Sequence, residues 1–266
     1  MTGSYTLMHS TGTSTTTVQE TGSNQGSIAN LGSTVTATTT SDRTGNDVTG
    51  SYTLTTTNSS NGTNTSVSSN QGSSANISST NVSTSTSEKR GNEVTGSYTL
   101  LPSTSNSTAT TYETDTNQGM TASITTTNTS TSTSDRSGNA IAGTYTLHST
   151  SNSTATNYET DTNQSSTTNL TSTVVGANTS DRTGNDVVGT YNLNATSTTN
   201  GTVTSTATNQ SLTSIATTTN AGSTTTTRAG NDVTGNYTTM HHAVSYTHLR
   251  AHETKANLVC RLLLEK

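Results

Sequence analysis

Four carboxylates have side-chain types and spacing that could hold a cation. Glu113 and Asp115 stand two residues apart, and Glu159 and Asp161 repeat that pair one unit further along the chain. On a strand, residues i and i+2 share a face, so two such pairs in adjacent, in-register units would converge. Converging carboxylates repel one another, and a bound Ca²⁺ relieves that repulsion. The plainer reading is four solvated acids beside a variable loop, because only Glu20 echoes the pattern elsewhere. Catalysis finds little else. His9, His148, His241 and His242 share no column of the repeat. Ser is so abundant that a Ser/His/Asp set can always be assembled, so such a set carries no weight. We therefore expect no enzyme, no catalytic residue and no resident cofactor, with Ca²⁺ at these four acids as the one metal candidate.

The units that would position these acids are a tandem repeat of 46 or 47 residues. Its anchor reads RTGNDVTGSYTL at 43–54 and RTGNDVVGTYNL at 182–193, with weaker copies RGNEVTGSYTL at 90–100, RSGNAIAGTYTL at 136–147 and RAGNDVTGNYTT at 228–239. Each motif glycine (Gly45, Gly91, Gly138, Gly184, Gly230) lies seven residues before its tyrosine (Tyr52, Tyr98, Tyr145, Tyr191, Tyr237). An Asn-Gln pair always lies 21 residues before that glycine, at 24–25, 70–71, 117–118, 163–164 and 209–210. A period of this length means an array of stacked units. All length variation falls between the tyrosine and the next Asn-Gln, which are 18 or 19 apart. That stretch is expected to hold a surface loop, at 58–64 (NSSNGTN), 103–108 (STSNST) and 198–201 (TTNG). Asn-Gly pairs form turns readily because both residues accept positive φ.

The Gly-Asn-Asp-x-x-Gly core of the motif resembles one turn of the calcium-binding nonapeptide repeats of secreted bacterial toxins and proteases. That resemblance implies aspartates of neighbouring turns sharing a cation. Here the copies lie a full repeat apart, and the Asp47 column becomes Glu93 and then Ala140. The alternative is a turn leading into a strand, with Gly45 and Asn46 at positive φ and Arg43 offsetting Asp47.

Most of the chain is Thr, Ser, Asn and Gly, all poor helix formers. Val48, Gly50, Tyr52 and Leu54 alternate with Thr49, Ser51 and Thr53, the pattern of a half-buried strand. Further apolar positions recur around Val18, Ile28, Leu31, Val35, Val67, Ile77, Val82, Tyr112, Ile124, Tyr158, Leu170, Val174, Val203 and Ile215. These predict three to four short strands per unit. One unit offers too few apolar side chains to fold alone, so stacking must supply backbone ladders and Asn/Thr side-chain ladders. The predicted fold is all-β, a β-solenoid-like stack of 46–47-residue repeats. The alternatives are a chain of small antiparallel sheets or a disordered stalk, the latter favoured by low hydrophobicity and polar low complexity.

Both ends depart from the array. Residues 243–266 (AVSYTHLRAHETKANLVCRLLLEK) resemble the translation, codon by codon, of a transposase-type sequencing-library adapter. Met1 occupies the column of Val48, Val94, Ile141, Val187 and Val233, as a valine start codon would give. The expected organisation is one array over 1–242 (units 1–44, 45–90, 91–137, 138–183, 184–229 and the partial 230–242), followed by an adapter-derived tail. Setting the tail aside removes Cys260, the only cysteine, and with it any disulfide, thiol nucleophile or Cys-based metal site. Residues 1–242 keep 6 basic and 13 acidic side chains, a formal charge of −7, with no Phe or Trp. This composition points away from nucleic acid, and no apolar run in the fragment would span a membrane.

The composition and tandem units over 1–242 resemble Thr/Ser/Asn-rich arrays of bacterial surface adhesins. The resemblance implies a non-catalytic stalk or adhesin spacer, extracellular or on the cell surface. Its partners would be the neighbouring repeats, surface glycans or further copies of itself. A second class is binding by a flat Thr face, to ice or carbohydrate. Thr38–Thr40, Thr84–Thr86, Thr131–Thr133 and Thr224–Thr227 recur at one point of the unit, but Gly176, Ala177 and Asn178 interrupt them. A third is a curli-like functional amyloid built on Asn/Gln ladders.

Overall fold

The computed structural model describes residues 3–24, 26–117, 119–164, 166–209 and 212–253. Among them the chain is all-β. Eleven strands follow one another in one open sheet: β1 (Ser4–Asn24), β2 (Ser27–Asn46), β3 (Ser51–Asn70), β4 (Ser73–Asn92), β5 (Ser97–Asn117), β6 (Met120–Asn139), β7 (Thr144–Asn163), β8 (Ser166–Asn185), β9 (Thr190–Asn209), β10 (Leu212–Asn231) and β11 (Asn236–Glu253). Their spatial order is their sequence order, and every neighbouring pair is antiparallel.

The repeats therefore form the expected all-β stack, as one continuous sheet. The strand count per unit differs from expectation. Each unit is one hairpin of two strands, most of them 20 residues long, rather than three or four short strands. The Asn-Gly pairs that marked loops lie inside strands. Gly62 is buried in the middle of β3, where an added Cβ would sit 3.5 Å from Val35. A turn there would break ladder bonds to both β2 and β4, so tertiary pairing overrides local turn propensity.

The one-residue length variation is absorbed elsewhere as well. The two longer odd strands, β1 and β5 (21 residues each), take up their extra residue as register shifts between Leu7 and Ser10 and between Leu100 and Ser103. Such β-bulges insert a residue without inverting the strand beyond it. Pro102 sits in the second bulge, where its missing N–H costs no ladder bond.

Two kinds of turn join the strands. At one edge a two-residue turn between β3 and β4 begins at Gln71, the second residue of the Asn-Gln anchor. Gln71 and Gly72 there have φ of 40° and 92°, the double positive-φ pattern of a hairpin turn whose twist matches its strands. At the other edge, four-residue turns occupy 47–50, 93–96, 140–143, 186–189 and 232–235.

The sheet has no second layer. Tyr145 and Tyr191 are the buried apolar side chains, and the chain exposes 17004 Å². A compact monomer of 27.3 kDa would expose about 11,000 Å². Among the described residues, no helix is long and apolar enough to cross a membrane. Ala243–Glu253, the first part of the tail, continues β11 and pairs with Ser214–Thr224 of β10. The remainder of the tail, with Cys260, and Met1 lie outside the described residues.

Candidate functional site

The repeated motif builds the wide-turn edge. The Oδ1 of Asn46 accepts from the backbone N–H of Val48 (2.9 Å) and Thr49 (3.0 Å). Asn92, Asn139, Asn185 and Asn231 accept from their own turns in the same way. Their Nδ2 atoms reach the preceding turn, donating to the carbonyls of Thr49, Thr95, Ala142 and Val188 at 2.8–2.9 Å. Beside them the backbone N–H of Glu93, Ala140, Asp186 and Asp232 donates to the carbonyl of Gly50, Gly96, Gly143 and Gly189 of the preceding turn. Each unit is thus latched to the one before it at every turn.

The motif glycine has a different role from the one expected. Positive φ falls on Gly50, Gly96, Gly143 and Gly189, not on Gly45 or Asn46. The glycine of Gly-Asn faces a tyrosine directly across the ladder, Gly91 opposite Tyr52 and Gly184 opposite Tyr145. A Cβ on Gly91 would lie 2.7 Å from the Tyr52 hydroxyl oxygen. The side chain is absent so that a ring can lie over the backbone.

The cations and rings form a continuous stack. Arg136 lies over Tyr98 and Tyr145 (5.8 and 4.7 Å to the ring centroids), Arg182 over Tyr145 and Tyr191 (5.7 and 4.6 Å), and Arg228 over Tyr191 and Tyr237 (5.5 and 4.1 Å). These are cation–π distances. Lys89, rather than Arg90, fills this column in the second unit, over Tyr52 and Tyr98. Burial raises the Tyr145 hydroxyl pKa, with the Arg182 charge opposing. The ion pairs also differ from expectation, because three arginines reach the acid of the next unit, while Arg90 pairs with Glu88 of its own strand. Arg43 pairs with Glu93, Arg136 with Asp186 and Arg182 with Asp232 (both 2.9 Å). Ala140 has no carboxylate to receive Lys89, so one joint lacks this bond.

The register does not bring the four candidate metal acids together. Glu113 and Glu159 lie in one cross-strand row but are separated by Ile124 of β6, and Ala122 separates Asp115 from Asp161 in the same way. Two strand spacings put each pair about 10 Å apart at the backbone. Glu20 lies in the same row, facing Leu31. Among the described residues, no group of three or more His, Cys, Asp and Glu side chains could hold a metal ion.

Two histidines find acids that the sequence did not assign to them. His9 Nδ1 lies 2.8 Å from Asp42 and His148 Nδ1 lies 2.5 Å from Asp181. The hydrogen bond to Asp181 raises the His148 pKa, with Asp181 and Asp135 adding charge attraction. Protonated His148 therefore favours the folded chain below its ordinary pKa of 6.5, and that contribution fades as pH rises through the raised value.

The largest regularity is on the sheet face opposite the tyrosines. One row runs straight across ten strands as Thr17, Thr34, Thr63, Thr80, Thr110, Thr127, Thr156, Thr173, Thr202 and Thr219. A second, six residues along, is Thr11, Thr40, Thr57, Thr86, Thr104, Thr133, Thr150, Thr179, Thr196 and Thr225. The two rows between them hold five threonines each, with Ser, Asn, Val and Ala in the other places. The field has no charged and no aromatic side chain, and all its residues are exposed or half-buried. Hydroxyls meet across the strands at Thr133–Thr150 (2.6 Å) and Thr15–Thr36 (3.3 Å). In β11 the rows end on His248 and His242. An open hollow of about 500 Å³ lies beside the field, lined by Asp181, Thr183, Asn194, Thr227 and Met240. Its carboxylate is already bonded to His148.

No family model matches the chain, and no curated protein is similar to it in sequence.

Proposed function

We propose that residues 1–242 are a non-catalytic structural repeat region of a larger bacterial surface or secreted protein. The carrying observation is the latched, single-layer stack, in which each unit bonds to its neighbours through ladder and turn, with an ion pair added at three of the joints. Strands of 20 residues make the sheet about 66 Å wide, and each unit adds about 10 Å of height. Forty-six residues of extended chain would reach about 150 Å. As a spacer the array therefore supplies breadth rather than reach.

The same breadth supports a second reading, in which the face with the Thr rows is a binding surface. Ten-strand Thr rows are the observation that favours it. One row ends on His248, inside the tail, and the other on His242, the residue before it. Amplifying the locus from source DNA with primers inside the repeat tests the reading. We expect repeat codons in place of AVSYTHLRAHET and a secretion leader or surface anchor in the same frame. Genomic codons for AVSYTHLRAHET would overturn the tail assignment, and a closed frame with neither leader nor anchor would overturn the surface assignment.

A further inference from the structure

We propose that the Thr field binds ice, and this rests on the reading of that face as a binding surface. The field is a grid. Directly opposed residues stand about 4.8 Å apart across strands, and successive rows about 6.7 Å apart along them. Thirty of its forty positions are threonine, and two of its four rows are threonine throughout. Each threonine offers one hydroxyl and one methyl, and branching at Cβ restricts its rotamers. The ladder fixes the backbone beneath, so the groups are held in place before any ligand arrives.

A ligand matching this surface must itself be extended, periodic and uncharged. Soluble small ligands are recognised in concave sites of about 300–1,000 Å³, whereas the hollows on the field's two border rows, at Thr17, Thr34 and Thr63 and at Thr133, Thr150 and Thr179, are open and hold about 180 and 220 Å³. Charged partners are disfavoured, because the charges of this face lie outside the field: Asp42, Glu88, Asp135 and Asp181 in the row beyond it, Arg90 one row further and paired with Glu88, and Arg250 past the other border. A sugar polymer would seek aromatic rings on which to stack, and Tyr112 and Tyr158 lie outside the field, past its other border. A crystalline water surface meets all three requirements. Its oxygens repeat on a scale of a few ångströms, can donate to or accept from each hydroxyl, and leave gaps that methyls fill. A single contact of this kind is weak. Thirty on one rigid frame bind together, because after the first the others are already in position.

The test uses the fluorescently labelled full chain and slow growth of polycrystalline ice on a cooled probe. The parent should be drawn into the ice at several times the level of a labelled carrier protein. Thr129 and Thr131 lie at the centre of the field on β6 and are exposed, while Ser130 between them is exposed on the other face. The variant Thr129→Tyr/Thr131→Tyr should fall to the carrier level, and Ser130→Tyr should stay at the parent level. Tyrosine suits strands, and circular dichroism of all three chains checks that the sheet persists. Exclusion of the folded parent from ice overturns the proposal. So does equal loss in the Ser130→Tyr variant. Pelleting with crystalline cellulose or chitin separates the two layers of inference. Pelleting that Thr129→Tyr/Thr131→Tyr abolishes, with no ice uptake, would keep the binding face and overturn ice. Failure with every solid would overturn both. A dimer in sedimentation that the double variant dissolves would assign the face to a second copy instead.

Discussion

Asn46 and its equivalents show how one residue type can be required at every copy of a repeat. The side chain must accept two backbone N–H groups of its own turn and donate to a carbonyl of the turn before. Asparagine carries both an acceptor and a donor at that reach. Aspartate keeps the first function and places an oxygen against a carbonyl in the second. Asn185→Asp should therefore lower stability by about 1–3 kcal/mol, the cost of an unmade polar contact. Denaturant unfolding at neutral pH measures it, and an unchanged midpoint would remove the latch as a source of stability. The sequence showed that this asparagine matters, through its constant spacing, but pointed to positive φ as the reason. The bonds that decide the matter join residues 43 or 44 positions apart in neighbouring units, and linear spacing does not reveal which turn faces which.

At the scale of elements, length variation proved a better guide than composition. The spacing located the segment that tolerates an extra residue, between the tyrosine and Asn-Gln. Composition placed a loop at 58–64, 103–108 and 198–201, whereas β1 and β5 absorb the extra residue in bulges three to five residues after Tyr5 and Tyr98. Inserting one glycine between Leu54 and Thr55 of β3 should thus create a third bulge of the same kind and leave Tm nearly unchanged. Inserting it between Ser60 and Asn61, with ladders on both sides, should lower Tm by more than about 4 °C, at least 1 kcal/mol for a domain of this size. Parallel thermal melts decide, and equal losses would mean that the bulge site has no special tolerance. The Thr field escaped the sequence for a related reason. Thr38–Thr40, Thr84–Thr86 and Thr131–Thr133 belong to the even strands and were visible as a recurrence. Thr57, Thr104, Thr150 and Thr196 complete the row from the odd strands, and Thr104 falls within a stretch that read as loop. Only the register shows that the two sets alternate in one line. Ala177, which seemed to break the pattern, falls in a mixed row, and Thr179 carries the unbroken one through β8.

The whole molecule is unusual in having two faces and hardly any inside. A globular chain of 266 residues, unfolding at the usual 12–15 cal/mol/K per residue, would show a heat-capacity increment of about 3–4 kcal/mol/K. That increment arises from apolar surface newly wetted on unfolding. Here, among the described residues, Tyr145 and Tyr191 are the buried apolar side chains, and most valines and isoleucines already meet solvent. Calorimetry of the full chain should give less than half the globular value; a full globular value would mean that the sheet does not stand alone in solution. A small increment bends the stability curve little. The hydrophobic term that ordinarily weakens on cooling contributes little to holding this sheet, while its hydrogen bonds and cation–ring contacts remain. Such a protein loses little as the temperature falls, and its cold-denaturation point lies far below that of a protein built around a core.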